Sequence, residues 1–583
     1  MRTAMFKLAK KYLGAFKKEL IIGPAAKLTE AILELIVPLL MADVIDVGIN
    51  GGAGKPYIYR MGGIMILMGV FGLCCALVCQ YLASKASQGV GTVIRNDIFE
   101  RICALSHSEL DNFGTASLVN RITADVNQVQ TAVAMLIRLV VRAPFLVIGA
   151  AVMAMTIDLK LSLIFLAVAP LVAAVLYVIM SRSVPFYRVI QKKLDKIGLI
   201  TRESLSGARV IRAFSRREYE EKRFSEANED YAGISRRVGR LSALLNPLTY
   251  AIMNLAIAAI VWFGGFRVSA GDLTQGQVIA FVNYMTQISL ALVVVANLVV
   301  IFTRAAACSA RINEVLDTEP SITDGSGAEK SVPGAPAIEF KDVSFSYNSD
   351  GDSALENISF SLNKGETLGI IGGTGSGKST LVNLIPRFYD AEKGEILIDG
   401  INVRDYKLDT LRNKIGAVPQ KALLFTGTVA ENLCWGKEDA SLDEIRKAAE
   451  IAQAAEFIEK LPEGYDTHIS QGGRNLSGGQ KQRLTIARAL VGDPDILILD
   501  DSASALDFAT DAALRKAIAG NTENMTVIIV SQRANSIRHA DKIIVLDDGK
   551  AVGTGNHSEL MESCEVYREI VMSQESGNGV SRN

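Results

Sequence analysis

The sequence predicts a multi-domain membrane protein: a six-helix, all-α transmembrane domain with long cytosolic helical extensions, followed by an α/β domain of the P-loop class. Three observations carry that prediction. Uncharged apolar stretches crowd the chain before residue 305, and about 20 apolar residues suffice for one helical crossing. Short strands alternate with helices after residue 336, the pattern of an α/β layer. A glycine-rich turn ending in Lys-Ser lies between one of those strands and the next helix.

Composition narrows the class. Of 583 residues, 49% are apolar, and the mean hydropathy is +0.26, high for a cytosolic enzyme. The length exceeds one ordinary core, so at least two domains are expected. The net charge is -1 and no domain is strongly basic, which argues against nucleic acid as a partner. Of the seven cysteines, Cys74, Cys75 and Cys79 share one apolar stretch. No pair has metal-ligand spacing and the four histidines lie far apart, so the thiols read as reduced packing residues.

The N-terminus interleaves Arg2, Lys7, Lys10, Lys11, Lys17 and Lys18 with apolar residues at helical spacing. Residues 1–18 therefore read as an amphipathic helix on the inner membrane face, in contact with lipid, and not as a cleaved signal. Residues 19–316 carry the spans. Met61 to Ser84, Leu161 to Met180, Leu241 to Phe266 and Leu273 to Thr303 contain no charge. Ala143 to Ile157 is also uncharged and is extended by Thr131 to Arg142. The sixth span, Leu20 to Val44, is weaker because it holds Lys27, Glu30, Glu34 and Asp43.

Three connections, Asp46 to Arg60, Asp158 to Lys160 and Arg267 to Asp272, are short, whereas Lys85 to Gln130 and Arg182 to Arg240 are long and polar. The second long loop is rich in Arg and Lys, which places it in the cytoplasm. The N-terminus and both long loops then share that side of a cell membrane crossed several times. Leu118, Ile122, Val126 and Val129, like Ile190, Leu194, Ile197 and Leu205, recur at helical spacing. About 60 residues folded out and back would project roughly 40 Å beyond the membrane.

Residues 317–336 read as a linker rich in Thr, Pro, Ser, Gly and Ala. The α/β domain spans 337–572, with strands at Ile338 to Phe345, Thr367 to Ile371, Ile496 to Leu499, Val527 to Val530 and Ile543 to Leu546 in a largely parallel sheet. Residues 573–583 read as a disordered polar tail.

The chemistry concentrates in this second domain. Gly372-Gly373-Thr374-Gly375-Ser376-Gly377-Lys378-Ser379-Thr380 follows an apolar strand and opens a helix, the context of a phosphate-binding loop. Its glycines let backbone N–H groups turn toward phosphate oxygens at a helix N-terminus. Lys378 would reach the outer phosphates, and the Ser379 hydroxyl would ligate magnesium. Ile496-Leu497-Ile498-Leu499 ends in Asp500 and Asp501, where Asp500 can hold the magnesium directly or through water.

Leu476-Ser477-Gly478-Gly479-Gln480, about 20 residues before Asp500, resembles the signature of ATP-binding cassette proteins. The resemblance covers nearly the whole chain and points to a half-transporter. It implies that two such domains sandwich ATP head to tail, each signature facing the phosphates held by the other chain. It also implies that Tyr347 stacks on adenine and that Gln420 contacts magnesium and the transmembrane domain. Ser504-Ala505-Leu506-Asp507 would pass signals between the two sites. Phe113 to Leu118, with Arg121 and Asp125, resembles the first cytosolic loop of bacterial multidrug exporters, and Gly207 to Phe214 their second. In that family each loop carries a short helix that docks on a nucleotide domain.

Two positions depart from the family. It usually has Glu after the magnesium-associated Asp, to polarise the attacking water, and this chain has Asp501. The shorter side chain falls on the order of 1 Å short of that water. A histidine usually follows the next strand and contacts the γ-phosphate; Gln532 stands there and carries no positive charge. Together they resemble the degenerate-site subunit of a heterodimeric exporter. Such a chain would bind ATP, hydrolyse it slowly, and complete its partner's site through an intact signature. Three functions fit: export of hydrophobic or amphipathic, drug-like compounds; export of a dedicated peptide, lipid or glycan; and nucleotide-gated regulation on the same scaffold. Import also remains open.

Overall fold

The computed structural model describes residues 2–327, 332–347, 353–502, 504–521 and 525–579. They form two compact units, one of Met1–Cys103 with Thr115–Thr318, the other of Ala104–Gly114 with Glu319–Asn583.

The first unit is helical. It begins with α1 (Arg2–Tyr12), α2 (Lys17–Asp43) and α3 (Gly54–Ala104). The helix α4 (His107–Phe113) belongs to the second unit. The chain returns with α5 (Thr115–Asn120), α6 (Val126–Met135), α7 (Arg142–Ile157), α8 (Leu159–Ser206), α9 (Ala208–Ala213), α10 (Arg217–Ala243), α11 (Leu245–Ser269) and α12 (Gln275–Asp317). At about 1.5 Å per residue, α3 alone is roughly 75 Å long, so both long loops are continuations of spans.

Among the described residues five helical runs are long and apolar enough to cross a membrane: Gly54–Ala104, Thr115–Ile157, Leu159–Ser206, Arg217–Ser269 and Gln275–Asp317. This is one fewer than the six expected. The stretch expected as the first span is helical in α2, but it holds too many charged residues to join this set. Lys27, Glu30 and Glu34 are paired. Lys27 Nζ lies 2.6 Å from Glu30, and Arg142 Nη2 lies 2.6 Å from Glu34.

Small residues let the helices approach closely. Ala31, Ala150, Ala154 and Ala280 are buried beside Phe281, Tyr284 and Met285 of α12. The Tyr284 hydroxyl donates to the Leu35 carbonyl at 2.7 Å, so this buried phenol is satisfied. Arg121 and Asp125 find a structural role in a π-helical turn, Arg121–Asp125. Asp125 accepts a two-pronged bond from Arg311 on α12, and Arg121 pairs with Glu314 at 2.8 Å. In the second long loop α8 and α10 are cross-linked by Lys193–Asp230 and Arg223–Glu203. The N-terminal helix is tied by Lys7–Asp317 and Lys11–Asp97.

The strands of the second unit are β1 (Ile338–Phe345), β2 (Leu355–Leu362), β3 (Thr367–Gly372), β4 (Lys393–Ile398), β5 (Ile401–Asn402) and β6 (Ile415–Val418). They continue with β7 (Gly427–Thr428), β8 (His468–Ile469), β9 (Ile496–Asp500), β10 (Thr526–Val530), β11 (Lys542–Asp547) and β12 (Lys550–Gly555). A six-stranded sheet has the order β12-β11-β3-β10-β9-β6. All its pairings are parallel except β11 with β12. β9 is buried throughout, which accounts for its unbroken apolar run.

One strand expected in that sheet lies elsewhere. Ile338–Phe345 joins an antiparallel sheet of order β2-β1-β4-β5. Its burial on one side and partial exposure on the other suit a sheet with one solvated face.

The stretch read as a linker is fastened where it is described: Gly325 and Gly327 donate to Tyr406 and Asp405, and Asp324 caps Leu408. Residues 328–331 lie outside the described residues. The final helix, Glu565–Gly579, runs into the segment expected as a disordered tail; 580–583 lie outside the described residues.

Candidate nucleotide-binding site

β3 delivers the phosphate-binding loop from the middle of the parallel sheet, and the helix Lys378–Leu384 carries the chain away. Gly375 and Gly377 have φ of 85° and 94°, backbone that side chains avoid. A Cβ on Gly377 would also lie 2.7 Å from the Ala354 carbonyl. Lys378, 9% exposed, donates to the carbonyls of Gly372 and Gly373 and to Ser376 Oγ. These acceptors are neutral, so the ammonium keeps its charge for an anion. Burial pulls its pKa down, and Asp501 and Asp500 oppose that shift.

Asp500 closes β9 and is 9% exposed. Its Oδ1 accepts from Ser379 Oγ at 3.1 Å. A carboxylate and a hydroxyl this close form a pair of hard oxygen donors that fits magnesium. Burial raises the Asp500 carboxyl above its usual range, and neighbouring Asp501 adds to the effect; Ser379 and Lys378 work against it.

Asp501 sits in left-handed backbone, φ 45°, anchored by its N–H to the Val530 carbonyl at 2.9 Å. Its Oδ2 accepts from Gln420 Nε2 at 3.3 Å. Burial raises this carboxyl too, opposed by Gln420, Lys378 and Arg533.

The fold thus unites four expected groups around one strand end: the loop from Gly372 to Ser376, Lys378, Ser379 with Asp500, and Gln420 with Asp501. Gln420 reaches Asp501 and not the Ser379–Asp500 pair. Gln532 follows β10 as expected, yet it bonds only through its backbone carbonyl, to Gln574 at 2.7 Å. Among the described residues its exposed side chain makes no hydrogen bond.

Tyr347 is 52% exposed, and its hydroxyl lies 3.1 Å from Thr380 Oγ1, beside the loop it was expected to serve. The signature stands apart. Ser477 caps the helix Gly478–Val491 in a reciprocal box with Gln480. A Cβ on Gly479 would meet the Ala505 carbonyl at 3.2 Å. Among the described residues no hydrogen bond joins Ser477, Gly478, Gly479 or Gln480 to the phosphate-binding loop.

Sequence reasoning passed over three residues here. Arg533, directly after Gln532, lies 5.0 Å from the Phe508 ring and bears electrostatically on Asp501. Tyr389 packs at 5.3 Å against Tyr347 and donates to Asp111 at 2.8 Å. Only the position of Arg533 beside a motif could have flagged it; Asp111 and Tyr389 are 278 residues apart.

A parallel sheet presenting a glycine-rich loop, a buried lysine and a paired acid, in a chain with five membrane-crossing helical runs, defines a membrane protein with a nucleotide-binding domain. Residues 20–292 match the ABC transporter transmembrane region, and residues 355–504 match the ABC transporter model. The uncharacterized ABC transporter ATP-binding protein YfiB of Bacillus subtilis (strain 168) is 40% identical over 547 residues, 94% of this chain and 95% of its own. The ATP-dependent lipid A-core flippase of Hahella chejuensis is 34% identical over 509 residues, 87% and 86% of the two chains. A solved bacterial Atm1-family ABC exporter with ATP bound superposes with a TM-score of 0.78 at 25% identity, covering 97% of this chain and 98% of that one. The chain belongs to the ABC transporter family and has the exporter arrangement, membrane region first and ATP-binding domain second.

Proposed function

We propose that this chain is the slowly hydrolysing half of a heterodimeric exporter. The observation that carries the proposal is Asp501, whose short carboxylate is engaged by Gln420 at 3.3 Å, with an uncharged Gln532 after β10. The loop amides and Lys378 would hold the ATP phosphates, while Ser379 and Asp500 would hold magnesium, which neutralises phosphate charge when bound. Asp501 would have to orient water from about 1 Å too far back, and general-base positioning typically contributes 10²–10⁴-fold. The separate, fully capped signature supports the other half of the proposal: it serves the phosphates of a second half-transporter.

The membrane domain supplies six crossings in this proposal, with α2 the first. Pairing its charges lowers the cost of placing them in lipid. The N-terminus and nucleotide-binding domain face the cytoplasm of the cell membrane. The two acids in the middle of this span, Glu30 and Glu34, are neutralised by Lys27 and Arg142. Beside them lies an apolar groove of about 330 Å³ lined by Ile32, Leu35, Ile36, Phe145, Ile148 and Val152. Greasy walls next to balanced charge suit a hydrophobic or amphipathic compound.

The test is phosphate release by the purified chain with and without Asp501→Glu. The proposal expects slow release that the substitution raises about tenfold or more. Brisk release in the parent that the substitution leaves unchanged would sink it. A second reading, translocation of a lipid, is favoured by similarity to the lipid A-core flippase. ATP-dependent movement of a labelled lipid between leaflets, without dye uptake by inverted vesicles, would select it.

A further inference from the structure

Helix α4 is tied to aromatic residues that lead to the nucleotide loop. Ser106 and Glu109 cap its start reciprocally, and Gly114 ends it at φ 71°. On the helix, His107 lies against the Phe388 ring, centroids 4.4 Å apart and 26° from parallel. One turn on, Asp111 accepts the Tyr389 hydroxyl at 2.8 Å. The backbone beneath these two rings is pinned: Arg387 pairs with Asp390 at 2.8 Å and donates to the Thr323 carbonyl at 3.0 Å.

Tyr389 has a second neighbour. Its ring meets that of Tyr347 edge to face, centroids 5.3 Å apart at 85°, and the Tyr347 hydroxyl meets Thr380 Oγ1 at 3.1 Å. A continuous path therefore runs from Asp111 through Tyr389 and Tyr347 to Thr380. Tyr347 is its one half-exposed ring beside the phosphate loop. A base stacking on that ring fixes its plane, and close-packed aromatic neighbours cannot ignore a fixed plane.

We infer that Tyr389 is a positioning residue that makes base stacking at Tyr347 and the docking of α4 interdependent, so that α4 reports the base of the nucleotide. The inference rests on the proposed ATP site and on the family resemblance, which implies that Tyr347 stacks on adenine. Coupling of this kind is reciprocal: a docked α4 tightens the hold on the base by the same factor.

Hydrogen exchange of residues 104–114 in the full-length chain tests it. A non-hydrolysable ATP analogue is expected to slow exchange there about fivefold or more, whereas ribose 5-triphosphate, the same phosphates without a base, does not. Tyr389→Phe keeps the ring and removes the bond to Asp111; Asp111→Ala removes it from the other side. Each should cut the analogue-linked change to less than about twofold, and the double variant should add nothing further, while calorimetry still detects analogue binding. A ring that merely supports α4 would speed exchange equally with and without nucleotide. That result, or protection by ribose 5-triphosphate equal to that by the analogue, overturns the inference. Tyr347→Ala separates the two claims: if calorimetry finds its analogue affinity unchanged, the adenine contact itself falls, and the inference with it.

Discussion

At the residue scale the proposed slow hydrolysis turns on two side chains, Asp501 and Gln532, with a short carboxylate at one and no charge at the other. Their effects should be unequal. Gln532 is exposed and bonds only through its backbone, so Gln532→His alone adds a charge where the attacking group is still misplaced. In Asp501→Glu that group is placed first. Combined, the two should exceed the sum of their separate effects on phosphate release, because residues acting on one transition state are not additive. Steady-state release by the three variants checks this. Much of the site could be read from sequence because its motifs are contiguous: Gly372 to Thr380 and Asp500 each sit where a strand ends. Tyr389 and Asp111 were invisible because neither belongs to a motif and only the fold brings them within 2.8 Å.

At the element scale, the turn after β4 depends on Asp399. Its carboxylate, 6% exposed, pairs with Lys364 at 2.8 Å and Lys414 at 2.9 Å. Burial alone would raise this carboxyl, but the two lysines prevail and hold it below its usual value. Lys414 is correspondingly raised despite burial, through Asp399 and Asp495. A depressed acid adds stability above its unfolded value and loses it as pH falls through the folded one. Asn tolerates the left-handed backbone at this position, φ 51°. Asp399→Asn should therefore lower the thermal midpoint of the nucleotide-binding unit at pH 7 by roughly 2–8 °C, about 1–2 kcal/mol given that Lys364 is exposed and Lys414 only partly buried. The gap should begin to close as the pH drops below about 4, where the unfolded acid takes up its proton, and vanish only below the lowered folded value. Differential scanning calorimetry at both pH values decides it.

The same scale explains α2. Glu34→Leu leaves Arg142 with its charge unmatched and should destabilise the membrane unit, whereas Glu34→Leu with Arg142→Leu should recover most of the loss, because a paired buried charge is costly mainly when one partner is removed. Thermal aggregation of the purified chain reads both. Lys27, Glu30 and Glu34 were visible as charges in a span, but their partners were not, since Glu34 and Arg142 stand 108 positions apart.

At the scale of the whole molecule, division of labour makes an asymmetric prediction. In the proposed heterodimer the signature of this chain works for its partner, so Ser477→Arg should abolish ATP-driven uptake by inverted vesicles containing both subunits. Gln532→Ala, at the slow site, should leave most uptake intact. Equal loss from both would mean that the two sites share the work. Ser477→Arg also removes a helix cap, at about 1 kcal/mol, so a scanning calorimetry control separates lost folding from lost function.

The sequence by itself determined the family, the order of the two domains, five runs apolar enough to cross a membrane, and the strands that lead into the glycine loop and Asp500. Those are written in local patterns: apolar runs, the glycine loop, the signature. Tertiary structure alone decided that β1 leaves the parallel sheet, that Glu34 of α2 is matched by Arg142, and that Asp111 reaches Tyr389. Each of these is a pairing between distant segments, and a pairing has no local pattern; it exists only once the backbone has brought two surfaces together.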